Sequence, residues 1–154
     1  MTSRTPIRAA DGAVLSFLRE DVWRVVADVR AYPIWFPRSI RARVERADEL
    51  IGTRVNLKPW GGRAFTCRVV EVHPLRGMVF EYDGGFIQGR GEWSLEPVER
   101  GTRVSYALDA VAVGRLAAIA ERMISLSRVH SAAMQGVLGA LGREVARRAT
   151  GRSR

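Results

Sequence analysis

The side chains able to do chemistry are few and scattered. One cysteine, Cys67, and two histidines, His73 and His130, stand apart from one another, and no spacing among them resembles a metal-ligand set. Cys67 falls in a strand-like segment, where a lone cysteine behaves as a small core hydrophobe, and no base adjoins it to make a nucleophile. Gly84, Gly85, Gly89 and Gly91 lie in strands and turns instead of opening a helix. They read as aids to sheet curvature, not as a phosphate loop. No metal and no cofactor is called for. What remains is a polar set that could bind or polarise a carbonyl and shuttle protons: Tyr82, Tyr106, His130 and Arg68. His130 lies on the apolar side of a helical pattern, either as a core histidine with one partner or as a group that meets a ligand. Tyr82 and Tyr106 share parity with Phe80 and Leu108. A buried phenol needs a hydrogen-bond partner, and inside a cavity that partner could be a ligand oxygen.

The elements that must position these groups follow from the hydropathy periods. Met1–Pro6 reads as a loose arm, and Ile7–Phe17 as a strand region broken by the turn dipeptide Asp11-Gly12. Val22, Val25, Val26 and Val29 recur at helical spacing, with Glu20 and Asp21 in the first turn where the helix dipole favours them. Tyr32-Pro33-Ile34-Trp35-Phe36-Pro37 then stops the helix, because each proline disfavours αR in the residue before it. From Ile40 to Val113 the period is 2, with turns at Pro59-Trp60-Gly61-Gly62, Gly84-Gly85 and Glu99-Arg100-Gly101, which predicts an antiparallel meander.

In the segment Phe65–Val72 the parity conflicts. Glu71 matches Phe65 and Cys67, while Arg68 matches Val70 and Val72, so the strand holds either a bulge or a polar pocket residue. Arg68 is a pocket cation if Val70 and Val72 face inward and a solvated residue otherwise. After Gly114 the period returns to 3.6 and holds to Arg148. Leu116, Ala120, Met123, Ser127, His130, Met134, Val137, Leu141 and Val145 share one side. Six or seven short strands have one face to cover, and the last helix is the only element long enough, so the sheet must curl around it: an α+β grip.

With 154 residues, residues 1–154 are expected to form a single domain, large enough to bury a core without staples. The single cysteine rules out a disulfide within the monomer. Together with the lack of an apolar leader or a run of about 18 apolar residues, it predicts a cytoplasmic protein with no transmembrane segment. Charge is the unusual bulk feature: 25 basic and 16 acidic residues give +9. Lys58 is the sole lysine, and the arginines are dispersed apart from Arg143, Arg147, Arg148, Arg152 and Arg154 at the end of the last helix, where cations suit the dipole. Specific nucleic-acid binding is not expected, since no reading motif accompanies the charge.

Val22-Trp23-Arg24-Val25-Val26-Ala27-Asp28-Val29, then Tyr32-Pro33, Trp35 and Pro37, resembles the N-terminal signature of the SRPBCC or START-like superfamily, in particular its polyketide cyclase/dehydrase branch. The resemblance continues through Val70-Glu71-Val72-His73-Pro74, Phe80-Glu81-Tyr82, Gly89–Pro97 and Gly101-Thr102-Arg103-Val104, and covers about residues 16–145. It implies a helix-grip fold with an elongated hydrophobic cavity between sheet and last helix, used across the superfamily to bind lipids, hormones, quinones or polyketides. Only some members catalyse a reaction, so the likeness does not settle activity.

A curled sheet gripping one helix presents more inner surface than the helix can fill. Gly89 and Gly91 remove side chains from one strand's inner face, and Gly136, Gly139 and Gly142 thin the helix. A cavity of roughly 300–1,000 Å³ is therefore expected. Its walls would be Phe80, Tyr82, Trp93, Tyr106, Met123, His130 and Met134, with Trp35, Phe36 and Trp60 near an entrance. Three functions are compatible with this: binding or transport of a small hydrophobic molecule by a monomer or homodimer; a cyclase, aromatase or dehydratase acting in the same cavity; and a basic protein that associates with a macromolecule.

Overall fold

Three of the four valines at helical spacing, Val22, Val25 and Val26, are wholly buried in α1 (Arg19–Val26). The chain then narrows to a 3-10 turn, Val29–Ala31, and to the single-turn α2 (Tyr32–Trp35), which Pro33 enters near its N-terminus, where a missing amide donor costs nothing. The computed structural model describes residues 4–115, 119 and 125–152. Among these, β1 (Arg4–Leu15), β2 (Ile40–Glu45), β3 (Arg54–Pro59), β4 (Phe65–His73), β5 (Gly77–Gly84), β6 (Ile87–Val98) and β7 (Gly101–Val113) form one antiparallel sheet, in the order β1-β7-β6-β5-β4-β3-β2. The long α3 (Leu126–Gly151) completes it. The seven strands curl round the helix in an α+β helix-grip fold.

Three local readings are corrected by the longer-range pairing. Asp11-Gly12 does not turn: β1 runs straight through it, with Asp11 opposite Tyr106 and Gly12 opposite Ser105. Twelve consecutive residue pairs with β7 outweigh a two-residue turn preference, and Gly12 suits that close approach because a Cβ there would come 3.0 Å from the Val104 carbonyl oxygen. Nor are Arg4–Pro6 a loose arm, since they pair with Val113–Val111. The helix does not run unbroken from position 116 to 148. Ser125 is extended (φ −62°, ψ 116°) and caps α3, its hydroxyl accepting from the Arg128 N–H at 3.4 Å. Leu116, Ala120 and Met123 lie outside the described residues.

The parity conflict in β4 is a bulge. Its pairing with β5 slips between Val69 and Glu71, so Cys67 and Val69 face the core on one side of the slip and Glu71 faces solvent on the other. Arg68 consequently points away from the core, toward Glu81 at 3.0 Å and Asp83 at 3.4 Å on the outer face of β5.

The sequence pattern did not announce Glu144. This carboxylate lies on the buried side of α3 at 7% exposure, held by Arg147 at 2.7 Å and Arg148 at 2.9 Å. Arg148 reaches on to Asp28 at 3.1 Å, and Arg152 to Asp21 in α1 at 2.5 Å. Arg148 and Arg152 thus fasten the helix end to α1 and the segment after it, while Arg147 and Arg148 hold the Glu144 carboxyl down at about 2.

Candidate functional site

Alternation in β5, β6 and β7 puts Phe80, Tyr82, Trp93, Tyr106 and Leu108 on the concave face of the sheet, all 5% exposed or less. The first half of α3 crosses above them with Leu126, Val129, His130, Ala133, Met134 and Val137. Between the two layers lies an apolar cavity of about 160 Å³. It extends toward β2, β3 and α2, where the half-buried Phe36, Ile40, Leu57 and Pro59 line it.

This is smaller than the range expected from the strand and helix glycines, and the reason is visible at each of them. A Cβ on Gly91 would come within 2.0 Å of the Tyr106 hydroxyl and 2.9 Å of the Tyr82 ring, so the space that glycine vacates is filled by the two phenols. A Cβ on Gly89 would come 2.4 Å from the Ala110 Cα, so the missing side chain lets two backbones approach. In α3, Gly136 faces Pro37, Gly139 faces Arg143 and Gly142 faces Leu15; none of the three lines the cavity.

Polar atoms are sparse in the lining, and they cluster. The Tyr82 and Tyr106 hydroxyls hydrogen-bond each other at 2.5 Å. The Tyr32 hydroxyl donates to the Val26 carbonyl at 2.6 Å, which leaves it satisfied within the protein. The His130 ring lies over that of Tyr106, with centroids 6.1 Å apart and planes 29° apart. Its Nδ1 is buried with no hydrogen-bond partner. Burial pushes the His130 imidazole below its ordinary 6.5, against a weaker opposing pull from the Asp11 carboxylate, so the ring is neutral near pH 7. Burial likewise raises Tyr82 and Tyr106 far above the usual phenol range and pushes the Cys67 thiol up to about 12. The site therefore offers neutral hydrogen-bond donors and acceptors, with no thiolate or phenolate nucleophile.

Of the residues singled out by sequence, the structure brings together Phe36, Phe80, Tyr82, Trp93, Tyr106, His130 and Met134 around this cavity. Trp35 is buried beside it, edge-on to Tyr32 at 5.3 Å and to Phe36 at 4.7 Å, and is not part of the lining. Trp60 stands 90% exposed on the β3–β4 turn and does not line the cavity. Arg68 is on the other side of the sheet, and Met123 lies outside the described residues. Sequence reasoning missed Phe65 and Phe86, which meet edge to face at 6.1 Å and line the cavity beside Ile87. Phe86 sits in the turn after Gly85, where no alternation signals a facing. Among the described residues, no three His, Cys, Asp or Glu side chains gather as metal ligands.

Solved structures share this architecture at low identity. The di-domain ARO/CYC StfQ from the steffimycin biosynthetic pathway matches at 17% identity and a TM-score of 0.73, over 95% of this chain and 52% of its own, so this chain spans about half of that protein. A protein from Chromobacterium violaceum matches at 21% identity and a TM-score of 0.63, over 92% of this chain and 97% of its own. Norcoclaurine synthase from Thalictrum flavum, in complex with dopamine and hydroxybenzaldehyde, matches at 14% identity and a TM-score of 0.64, over 95% of this chain and 88% of its own. At such identities the likeness is one of fold. No curated protein matches the chain. The family described as polyketide cyclase / dehydrase and lipid transport matches residues 19–146, and the chain belongs to it.

Proposed function

We propose that residues 1–154 act as one domain that binds a small, mostly apolar molecule in the cavity between the sheet and α3. The observation that carries this is an apolar hollow of about 160 Å³ whose unsatisfied polar capacity, among the described residues, is confined to one spot, where the buried and unpartnered His130 Nδ1 adjoins the Tyr82–Tyr106 pair. A hollow of that size takes about one aromatic ring or a short acyl segment. A larger ligand would extend past Phe36, Ile40 and Leu57. One carbonyl or hydroxyl on the ligand would satisfy the orphaned nitrogen, and the apolar walls would supply the remaining affinity.

Native mass spectrometry of the purified protein should reveal a co-purified hydrophobic molecule. Aromatic polyketides, quinones, sterols and lipids that bind the folded form should raise its melting temperature with concentration. His130→Phe should weaken binding of oxygen-bearing ligands more than that of pure hydrocarbons. If it weakens both equally, the polar spot has no recognition role. The His130 shift has a definite sign in pH. Its folded value is depressed, so the stability linked to its neutral form is present above 6.5 and is lost as pH falls below 6.5.

A second reading is a cyclase or dehydratase acting on a ligand in the same cavity. The juxtaposition of neutral His130 with the Tyr106 ring favours it, because an imidazole with a free nitrogen can take up a proton while a phenol steadies a developing enolate. Turnover of a poly-carbonyl substrate that is abolished in both His130→Phe and Tyr106→Phe would establish it.

A further inference from the structure

Two large apolar side chains are conspicuously unburied at one end of the sheet: Trp60, 90% exposed, and Ile34, 78% exposed. They belong to the same corner. Trp60 follows the last residue of β3, and its N–H donates to the Ser39 carbonyl at 2.8 Å, just before β2 begins. Ile34 lies in α2, on the segment leading into that strand. The two chain segments that form this corner carry charge of one sign. No Asp or Glu occurs from position 31 to 44 or from 55 to 70. Arg38, Arg41, Lys58 and Arg63 are exposed there, and none has an ion-pair partner among the described residues. Elsewhere Arg68, Arg90, Arg103, Arg147 and Arg148 are tied to carboxylates. The exposed corner also adjoins the cavity's outer end, because its chain neighbours Phe36, Ile40, Leu57 and Pro59 are lining residues.

We propose that this corner docks on an anionic lipid surface. An exposed tryptophan and an aliphatic side chain gain from the interfacial region of a bilayer, and unpaired cations around them gain from anionic headgroups. A nucleic acid would engage the cations but leave Ile34 in water, so the combination fits lipid better. The docking would bring the outer end of the cavity to the membrane surface, where sparingly soluble molecules reside. It stands on the exposed corner alone, so its failure would leave the cavity reading untouched.

The test is sedimentation with vesicles of phosphatidylcholine alone or with about 30 mol% phosphatidylglycerol, at about 0.1 M salt. The protein should bind the anionic vesicles and not the neutral ones. Trp60→Ala should weaken that binding by about tenfold, and each cation removed, as in Lys58→Ala or Arg63→Ala, by about fivefold. Lys58→Arg should preserve it. Because these side chains are exposed, melting temperatures of the variants should match the parent, which separates lost docking from lost folding. Absence of binding to anionic vesicles, or binding indifferent to both Trp60→Ala and Lys58→Ala, would overturn the proposal. So would single-stranded RNA binding with the same Trp60 dependence and no vesicle binding.

Discussion

Glycines recur in two elements that face each other, β6 and α3, yet they do opposite things. In β6 the missing side chain at Gly91 is a steric necessity, since a Cβ would overlap the Tyr106 phenol. In α3, Gly136, Gly139 and Gly142 meet nothing closer than 3.4 Å. The inner surface of the sheet is therefore jammed at its centre by its own aromatics, while the helix is thin on faces that contribute nothing to the hollow. Cavities in this chain are set by where bulky rings stop, not by where side chains are absent.

The sharpest way to break this comparison is Gly91→Ala. The added methyl should cost about 2–3 kcal/mol, lowering the melting temperature by several degrees. The cost should shrink when Tyr106→Ala clears the space, a coupling that a double-mutant cycle of thermal melts would read. A Gly91→Ala protein that melts like the parent would show that the phenols move freely and that the hollow is wider than described.

Next in size is Glu144→Gln, which strikes the carboxylate holding Arg148, an arginine that fastens the helix, instead of the glycines that thin it. Breaking its pairs with Arg147 and Arg148 should cost about 2 kcal/mol in denaturant unfolding at neutral pH. Because the carboxyl is held at about 2, below its ordinary 4.5, this stabilisation is present above 4.5 and fades as pH falls from there toward 2. The difference between parent and variant should narrow over that window.

Tyr82→Phe tests the jammed centre more gently. It leaves the buried Tyr106 hydroxyl without its partner at 2.5 Å, at a cost of about 1–2 kcal/mol in the same assay. A ligand with a well-placed oxygen should stabilise this variant more than it stabilises the parent. Smallest of all, Gly136→Ala should stabilise the protein by about 0.5–1 kcal/mol, since its methyl meets only the Pro37 Cγ at 3.8 Å and alanine favours the helix. A loss of stability there would make the helix glycine structural after all.

Much of this architecture was legible in residue order. Period-2 segments gave the six strands of the meander and the inward facing of Phe80, Tyr82, Trp93 and Tyr106, because one buried face forces alternation. The conflict around Arg68 and Glu71 was itself a bulge signal, though parity alone could not choose between a bulge and a pocket arginine. Asp11-Gly12 misled because turn propensity is local while twelve pairs with β7 are not. Glu144 escaped notice since a carboxylate ordinarily marks the wet side of a helix, and only the fold brings Arg148 and Asp28 together around it. The exposure of Trp60 was hidden for the converse reason: tryptophan suggests burial, and nothing in its neighbours says which way a Pro-Trp-Gly-Gly turn projects. The sparse, clustered polarity of the cavity depends on which phenol meets which, a relation between strands about two dozen residues apart.

The two halves of α3 contribute to different properties of the molecule. Leu126, Val129, His130, Ala133, Met134 and Val137 line the hollow, whereas Arg148 and, just past the helix end, Arg152 are bound to the segment after α1 and to α1 itself. Changes in the first stretch can retune what fits inside while the anchorage stays intact, and changes in the second can trade stability without touching the contents. One continuous helix thus carries two nearly independent sets of adjustable positions, and drift in one set need not be compensated in the other.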